Sequence, residues 1–219
     1  MLPAVVSEYS GLEFIADGPA WSPQDGALLV VAPHPDDEIL GAGGLIRTWA
    51  ARGAEVSVLS VSDGEAAEPA RHGLGTSRRE ELTEALRKLC PTHVSVTRLG
   101  LPDGRIAHHV NRLRNAILSL ARGKLTLIAP YEHDGHPDHE AVGGVCFEFA
   151  RSQQLPIARY AIWAWQRAAA EQLREARWGK FLLGDDALRA KTRALGCFRT
   201  QLEGCDAGLL LTPYEAFLL

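Results

Sequence analysis

The sequence predicts an α/β fold: a Rossmann-like, mostly parallel sheet with helices on both faces and a small C-terminal elaboration. Three observations carry this. Short apolar runs such as Ala27–Ala32 and 125–129 alternate with longer segments of helical periodicity, the β-α order that builds a parallel sheet with right-handed crossovers. Those runs are apolar at successive positions, as strands covered on both faces must be. The chain has 219 residues, 46% of them hydrophobic, which suits one domain with a substantial core.

Each element has its own justification. Residues 1–26 form a mixed leader, read as an edge strand or a loop wrapping the domain. The first strand, Ala27–Ala32, leads into a helix over about 38–52 that ends near Gly53. Gly41, Gly43 and Gly44 are poor helix formers; they suit a helix start packed closely against a sheet or ligand. Strand two covers 56–61 and turns off at Ser62-Asp63-Gly64-Glu65. Residues 65–76 are polar with Gly and Pro, a long βα loop of the kind that contacts substrate. A helix over 77–89 carries Leu82, Leu86 and Leu89 on one stripe. Residues 94–97 make strand three, and Pro102-Asp103-Gly104 in the loop 99–104 is a turn signal. An amphipathic helix covers 110–121. Strand four, 125–129, reaches a second helix start at Pro137–Gln153 through the loop 130–136, and strand five covers 157–165. Beyond 166 the pattern suggests a strand over 178–183 and a helix over 185–198.

The formal net charge is −4, which gives no reason to expect nucleic acid or an anionic membrane as partner. No apolar run is long enough to span a bilayer. Residues 1–18 lack a basic region followed by an apolar core, so a secretory signal is not expected. Cys90, Cys146, Cys197 and Cys205 form no CxxC pair and read as free thiols. These features together point to a reducing cytoplasm, and none of them specifies an oligomeric state.

Two short segments echo each other: His34-Pro35-Asp36-Asp37-Glu38 and His136-Pro137-Asp138-His139. Each follows an apolar strand and leads into a helix, so each sits where open α/β sheets bind ligands, past the carboxyl ends of strands. Helix capping explains one Asp at such a corner. It does not explain a His, a Pro and two adjacent Asp. Two such loops converging supply two His and one or two Asp, the donor set of an open hydrolytic zinc site.

With HPDDE followed by HPDH about a hundred residues on, the chain resembles the LmbE-like or PIG-L-like N-acetylglucosaminyl deacetylases over about 28–142, with weaker agreement to 201. The resemblance implies a Rossmann-like, zinc-dependent hydrolase that removes acetyl from amino sugars and their conjugates. It implies His34, Asp37 and His139 as zinc ligands and Asp36 as general base. It implies His136 as the cationic or hydrogen-bonding group at the developing oxyanion, with Asp138 behind it. Three protein ligands leave a fourth position for water, and a carboxylate beside it can take the proton. Other divalent transition metals fit such donors too.

Arg78 on the helix after the long loop resembles the family's substrate-contacting Arg. Arg79 is a near alternative, and a solvated Arg paired with Glu is equally compatible with the spacing. Asp103 resembles a family Asp that binds sugar hydroxyls; a plain Pro-Asp-Gly turn is the other reading. Near the C-terminus Thr200-Gln201 stands where the family usually has Ser-Gln, and Phe198 replaces a common His, so no role is assigned there. His133 is near enough to line the site. Trp163 and Trp165 read as strand and core residues sharing one sheet face. Two rivals remain: a divalent-metal phosphoester hydrolase, and a non-catalytic metal- or sugar-binding module. Two His donors disfavour Mg²⁺ in the first, and Asp36 with His136 exceeds what the second needs.

Overall fold

The computed structural model describes residues 18–68, 71–90, 94–166, 173, 176–202 and 212–219. Seven strands form one sheet in the order β3-β2-β1-β4-β5-β7-β6. They are β1 (Ala27–Ala32), β2 (Val56–Ser62), β3 (Ser95–Leu101), β4 (Leu125–Pro130), β5 (Ile157–Tyr160), β6 (Trp178–Leu182) and β7 (Tyr214–Leu218). The helices are α1 (Asp37–Ala51), α2 (Leu74–Leu89), α3 (Val110–Leu120), α4 (Pro137–Gln153), α5 (Asp185–Leu195) and the short α6 (Arg199–Leu202). The first five strands pair in parallel, whereas β7 pairs antiparallel with β5 and β6.

The unbroken apolar runs follow from this layering. In β1, Leu28 and Val30 point into the core under α1, α2 and α5, while Leu29 and Val31 point into the core under α3 and α4. Full burial of each such side chain stabilises by roughly 1.5–3 kcal/mol, so both faces must be apolar. Chain order reverses at the middle of the sheet: β1 runs on to β2 on one side, and β4 joins it on the other. That reversal opens a crevice at the carboxyl ends of β1 and β4, where the two histidine motifs emerge.

The glycines of α1 have the expected packing cause. A Cβ on Gly41 would lie 2.4 Å from Cγ of Tyr160, and one on Gly44 would lie 2.3 Å from a Leu183 methyl carbon. The helix is also kinked, with Ala42 at φ −144° and ψ 17°.

Several expectations need correction. β3 runs on to Leu101 rather than stopping at 97; a register shift against β2 and the positive φ of Gly100 (61°) let the pairing continue. α2 begins at Leu74, so the preceding loop is shorter than read. A 3₁₀ turn at Ile106–His109 precedes α3. β5 ends at Tyr160, not 165, because the Asp134 carboxylate accepts from the backbone N–H groups of Ile162, Trp163 and Ala164 and turns the chain off the sheet. Trp163 and Trp165 are therefore not strand residues. The helix read as 185–198 ends at Leu195, the short α6 follows it at Arg199–Leu202, and β7 was not anticipated. Of the leader, residues 1–17 lie outside the described residues; Ala20 bridges to Lys180 at the β6 edge. Cys90, Cys146 and Cys197 are buried and free, while Cys205 lies outside the described residues. Among the described residues no helix is long and apolar enough to cross a membrane.

Candidate functional site

Both motifs sit at strand-to-helix corners. His34 follows β1, and Asp36 and Asp37 open α1; His136 caps α4, with Pro137 in its first turn, where a missing N–H costs nothing. Asp36 makes no side-chain cap to α1, so capping does not account for it.

The structure brings His34, Asp37 and His139 together, with one donor atom of each within 4.8 Å of the others. Asp37 Oδ2 is the hub. It lies 3.3 Å from His34 Nδ1 and 3.2 Å from His139 Nε2. The outer ring nitrogens face carboxylates: His34 Nε2 is 3.1 Å from Asp103 Oδ1 and 3.3 Å from Asp138 Oδ2, and His139 Nδ1 is 2.8 Å from Asp134 Oδ2. His139 is wholly buried, yet neither ring nitrogen has a partner with hydrogen-bond geometry. A buried, unsatisfied imidazole aimed at a second imidazole and a carboxylate fits a metal ligand, and carboxylates behind both rings are how proteins fix the ligating tautomer.

A cavity of about 300 Å³ opens over this cluster. Its polar wall includes His34, Asp36, Asp37, Arg78, Asp103 and His136, and its apolar wall includes Leu40, Ile162 and Trp163. Asp138 and His139 lie buried beneath it. Of the two candidate arginines, Arg78 turns inward. It is 8% exposed and its guanidinium donates to the Gly64 carbonyl at 2.7 Å. Gly64 has φ 64°, and a Cβ there would strike that guanidinium at 2.2 Å. Arg79 instead pairs with Asp63. Glu81 is no partner for Arg78; it binds the N–H and hydroxyl of Thr200.

Asp103 lies in a turn and also in the site: Oδ1 faces His34 and Oδ2 accepts from the Ala66 N–H at 2.9 Å. Asp138 has a carboxylate oxygen within 4.8 Å of a ring nitrogen of both His136 and His34. Its carboxylate accepts from the N–H groups of Gly104 and Ile106 and faces His34. Its backbone N–H donates to His136 Nδ1 at 3.2 Å. His133 is exposed and is not among the cavity's lining residues.

Two residues join the site beyond those given a role from the sequence. Trp163 packs its ring on His136, with centroids 5.5 Å apart and planes 29° apart. Asp134 holds both that Trp segment and His139. The Asp-rich setting of the second motif was the available signal for Asp134; Trp163 had none.

Burial and the neighbouring Asp37 raise the Asp36 carboxyl to about 7. Burial acts likewise on Asp37, but His139 and His34 outweigh it and hold that carboxyl well below the usual range. Burial opposes charge on His139, yet Asp37 and Asp134 raise it to about 9. Burial, with the cations of His139 and His34, lowers His136 to about 4. At neutral pH its ring is therefore uncharged; with Nδ1 accepting from Asp138, Nε2 carries the proton. Glu38 is fully buried with neither carboxyl oxygen partnered, and burial with Asp36 raises its pKa far above the usual range.

Comparison with known proteins gives concordant matches. The family described as PIG-L, GlcNAc-PI de-N-acetylase, matches residues 29–150. The 1D-myo-inositol 2-acetamido-2-deoxy-alpha-D-glucopyranoside deacetylase of Corynebacterium diphtheriae is 26% identical over 238 residues, covering 86% of this chain and 80% of that protein. The diacetylchitobiose deacetylase of Thermococcus kodakarensis is 28% identical over 137 residues, covering 59% of this chain and 51% of its own length. Among solved structures, the zinc-inhibited form of teicoplanin deacetylase Orf2 superposes with a TM-score of 0.69 at 17% identity, covering 88% of this chain and 97% of that one. At that identity the likeness speaks to the fold alone.

Proposed function

We propose, since the chain belongs to the PIG-L family of GlcNAc-PI de-N-acetylases, that it is a zinc-dependent hydrolase removing the N-acetyl group from a GlcNAc-containing small molecule or conjugate. The observation that carries this is the trio His34, Asp37 and His139, with a carboxylate behind each imidazole. Those three residues would hold the metal, which when bound supplies Lewis-acid polarisation and acidifies a water.

The remaining steps belong to the chain's own groups. Asp36 lines the cavity beside the trio, with a pKa of about 7, near the value that suits a general base at neutral pH. It takes the proton of the attacking water. His136 offers a neutral Nε2–H to the oxyanion that develops on the amide, and Asp36, once protonated, passes its proton to the departing amine. Arg78 and Asp103 line the polar wall, where they hold sugar hydroxyls. Leu40, Ile162 and Trp163 give the apolar surface against which a ring or acetyl methyl packs. Free buried thiols suit a reducing compartment, and we place the enzyme in the cytoplasm.

The test is to incubate metal-quantified protein with GlcNAc conjugates and measure free amine and acetate with and without chelator. Chelator-sensitive acetate release is expected. Phosphate release from phosphoesters with no acetate would replace the reading with a phosphoesterase.

A further inference from the structure

We propose that the buried pair Lys191 and Glu215 positions the first turn of α1, and with it Asp36 and Asp37, for the reaction. The inference rests on the reading of that turn as metal-binding and proton-accepting. Both residues lie outside the stretch 29–150 that matches the family.

α1 is two helical segments joined at Ala42, where φ is −144°. A break in a helix strands carbonyls before it and N–H groups after it. Here both sets are met by side chains from distant elements. Lys191 Nζ, from α5, donates to the Leu40 carbonyl at 2.9 Å. Glu215, from β7, accepts from Gly44 N–H at 2.7 Å and from Leu45 N–H at 2.9 Å. Nζ and Glu215 Oε1 are 2.7 Å apart, and the residues are only 1% and 4% exposed. The pair thus bridges the broken backbone from Leu40 to Gly44. On the other side the Tyr160 ring fills the space that Gly41 leaves, and its hydroxyl donates to the Val31 carbonyl.

A buried ion pair is a poor source of stability compared with apolar packing of the same volume. This pair does something packing cannot: it fixes the register of a short turn against the rest of its helix. The precision matters because Asp37 Oδ2 must stay between His34 and His139, at 3.3 and 3.2 Å, and metal-ligand distances tolerate only about ±0.2 Å. Lys191 and Glu215 touch no substrate; they are positioning residues.

The test uses Glu215→Gln and Lys191→Met in the full chain. Zinc Kd should weaken about tenfold, kcat should fall with KM nearly unchanged, and the visible spectrum of the cobalt-loaded protein should change shape. A merely structural role would lower Tm and leave the zinc Kd and the cobalt spectrum of the folded fraction as in wild type; that result overturns the proposal. If Glu215→Gln does not fold, Glu215→Asp keeps the charge but is too short to reach both N–H groups, and is read in the same way. The wild-type protein gives an independent reading. Coupling is reciprocal, so zinc must slow amide exchange at residues 40–46 and 214–218. Protection confined to the loop at 34–38 overturns the proposal. A wild-type protein that binds no zinc and releases no acetate overturns the functional reading beneath it instead.

Discussion

Asp134→Asn separates orienting a ligand from simply filling the space behind it. Oδ1 of Asp134 accepts from Ile162 and Ala164 N–H at 2.9 and 3.0 Å, and an amide oxygen can keep both bonds. Oδ2 accepts from Trp163 N–H at 3.2 Å and lies 2.8 Å from His139 Nδ1. An amide NH₂ in that place opposes a donor at Trp163. It also donates to Nδ1, driving the ring proton to Nε2, the nitrogen that faces Asp37. A buried unsatisfied group costs about 1–3 kcal/mol, so two disturbed contacts cost about 2–6 kcal/mol. In a chain of this size, at about 2–4 °C per kcal/mol, that lowers the Tm of the metal-free protein by roughly 4–24 °C. Zinc affinity should fall about 10–100-fold, the range for removing the group behind a metal-bound imidazole. The assays are thermal unfolding of the metal-free protein and zinc competition against a chromophoric chelator. A lowered Tm with zinc Kd within about twofold of wild type would refute the reasoning, leaving Asp134 as a tie for the Trp163 segment alone.

Asp36→Ala should keep full zinc stoichiometry and lose about 10²–10⁴ in kcat, whereas His34→Ala should lose the zinc itself; nearly full turnover in Asp36→Ala would remove the general base. Gly41→Ala places a methyl 2.4 Å from Cγ of Tyr160, an overpacking that costs about 1–3 kcal/mol or more, and an unchanged denaturation midpoint would show that the contact relaxes freely. Because His139 is raised to about 9 without metal, zinc must displace a proton; its affinity should climb with pH from neutrality towards about 9, and calorimetry in buffers of different ionisation heat should show proton release. The same raised pKa stabilises the metal-free fold fully below about 6.5, with loss as pH rises through about 9; a zinc Kd flat across that window would contradict both statements.

The meeting of His34, Asp37 and His139 was legible because its signal is local. A His and an Asp three apart at a strand end, and a second His at the matching place a hundred residues later, need only the strand-helix pattern to be brought together. The start of α1 is one residue from where the apolar periodicity put it. What was not legible depends on tertiary contacts. Trp163 enters the cavity because a carboxylate on another loop stops β5 at Tyr160, and no residue of 157–165 announces that. Neighbouring helix positions such as Arg78 and Arg79 point about 100° apart, so spacing alone does not tell which faces the cavity. Asp103 satisfies both of its readings, a turn residue whose side chain also meets His34. The break in α1 at Ala42 was not read from the sequence, and the Lys and Glu that bridge it come from α5 and β7, the region where periodicity was weakest.

β1 and β4 are interior strands, each hydrogen-bonded on both sides. The loops bearing His34 and His139 therefore spring from the middle of the sheet, whereas Ala66, Ala67 and Gln201 reach the cavity from a loop and a short helix. Such an arrangement sets a frame of paired strands beneath a rim of loop and short helix. Insertions or substitutions in the rim can admit a differently shaped ligand while the distances among His34, Asp37 and His139 stay as they are. A lineage built on this plan can diversify its substrates without reinventing its chemistry.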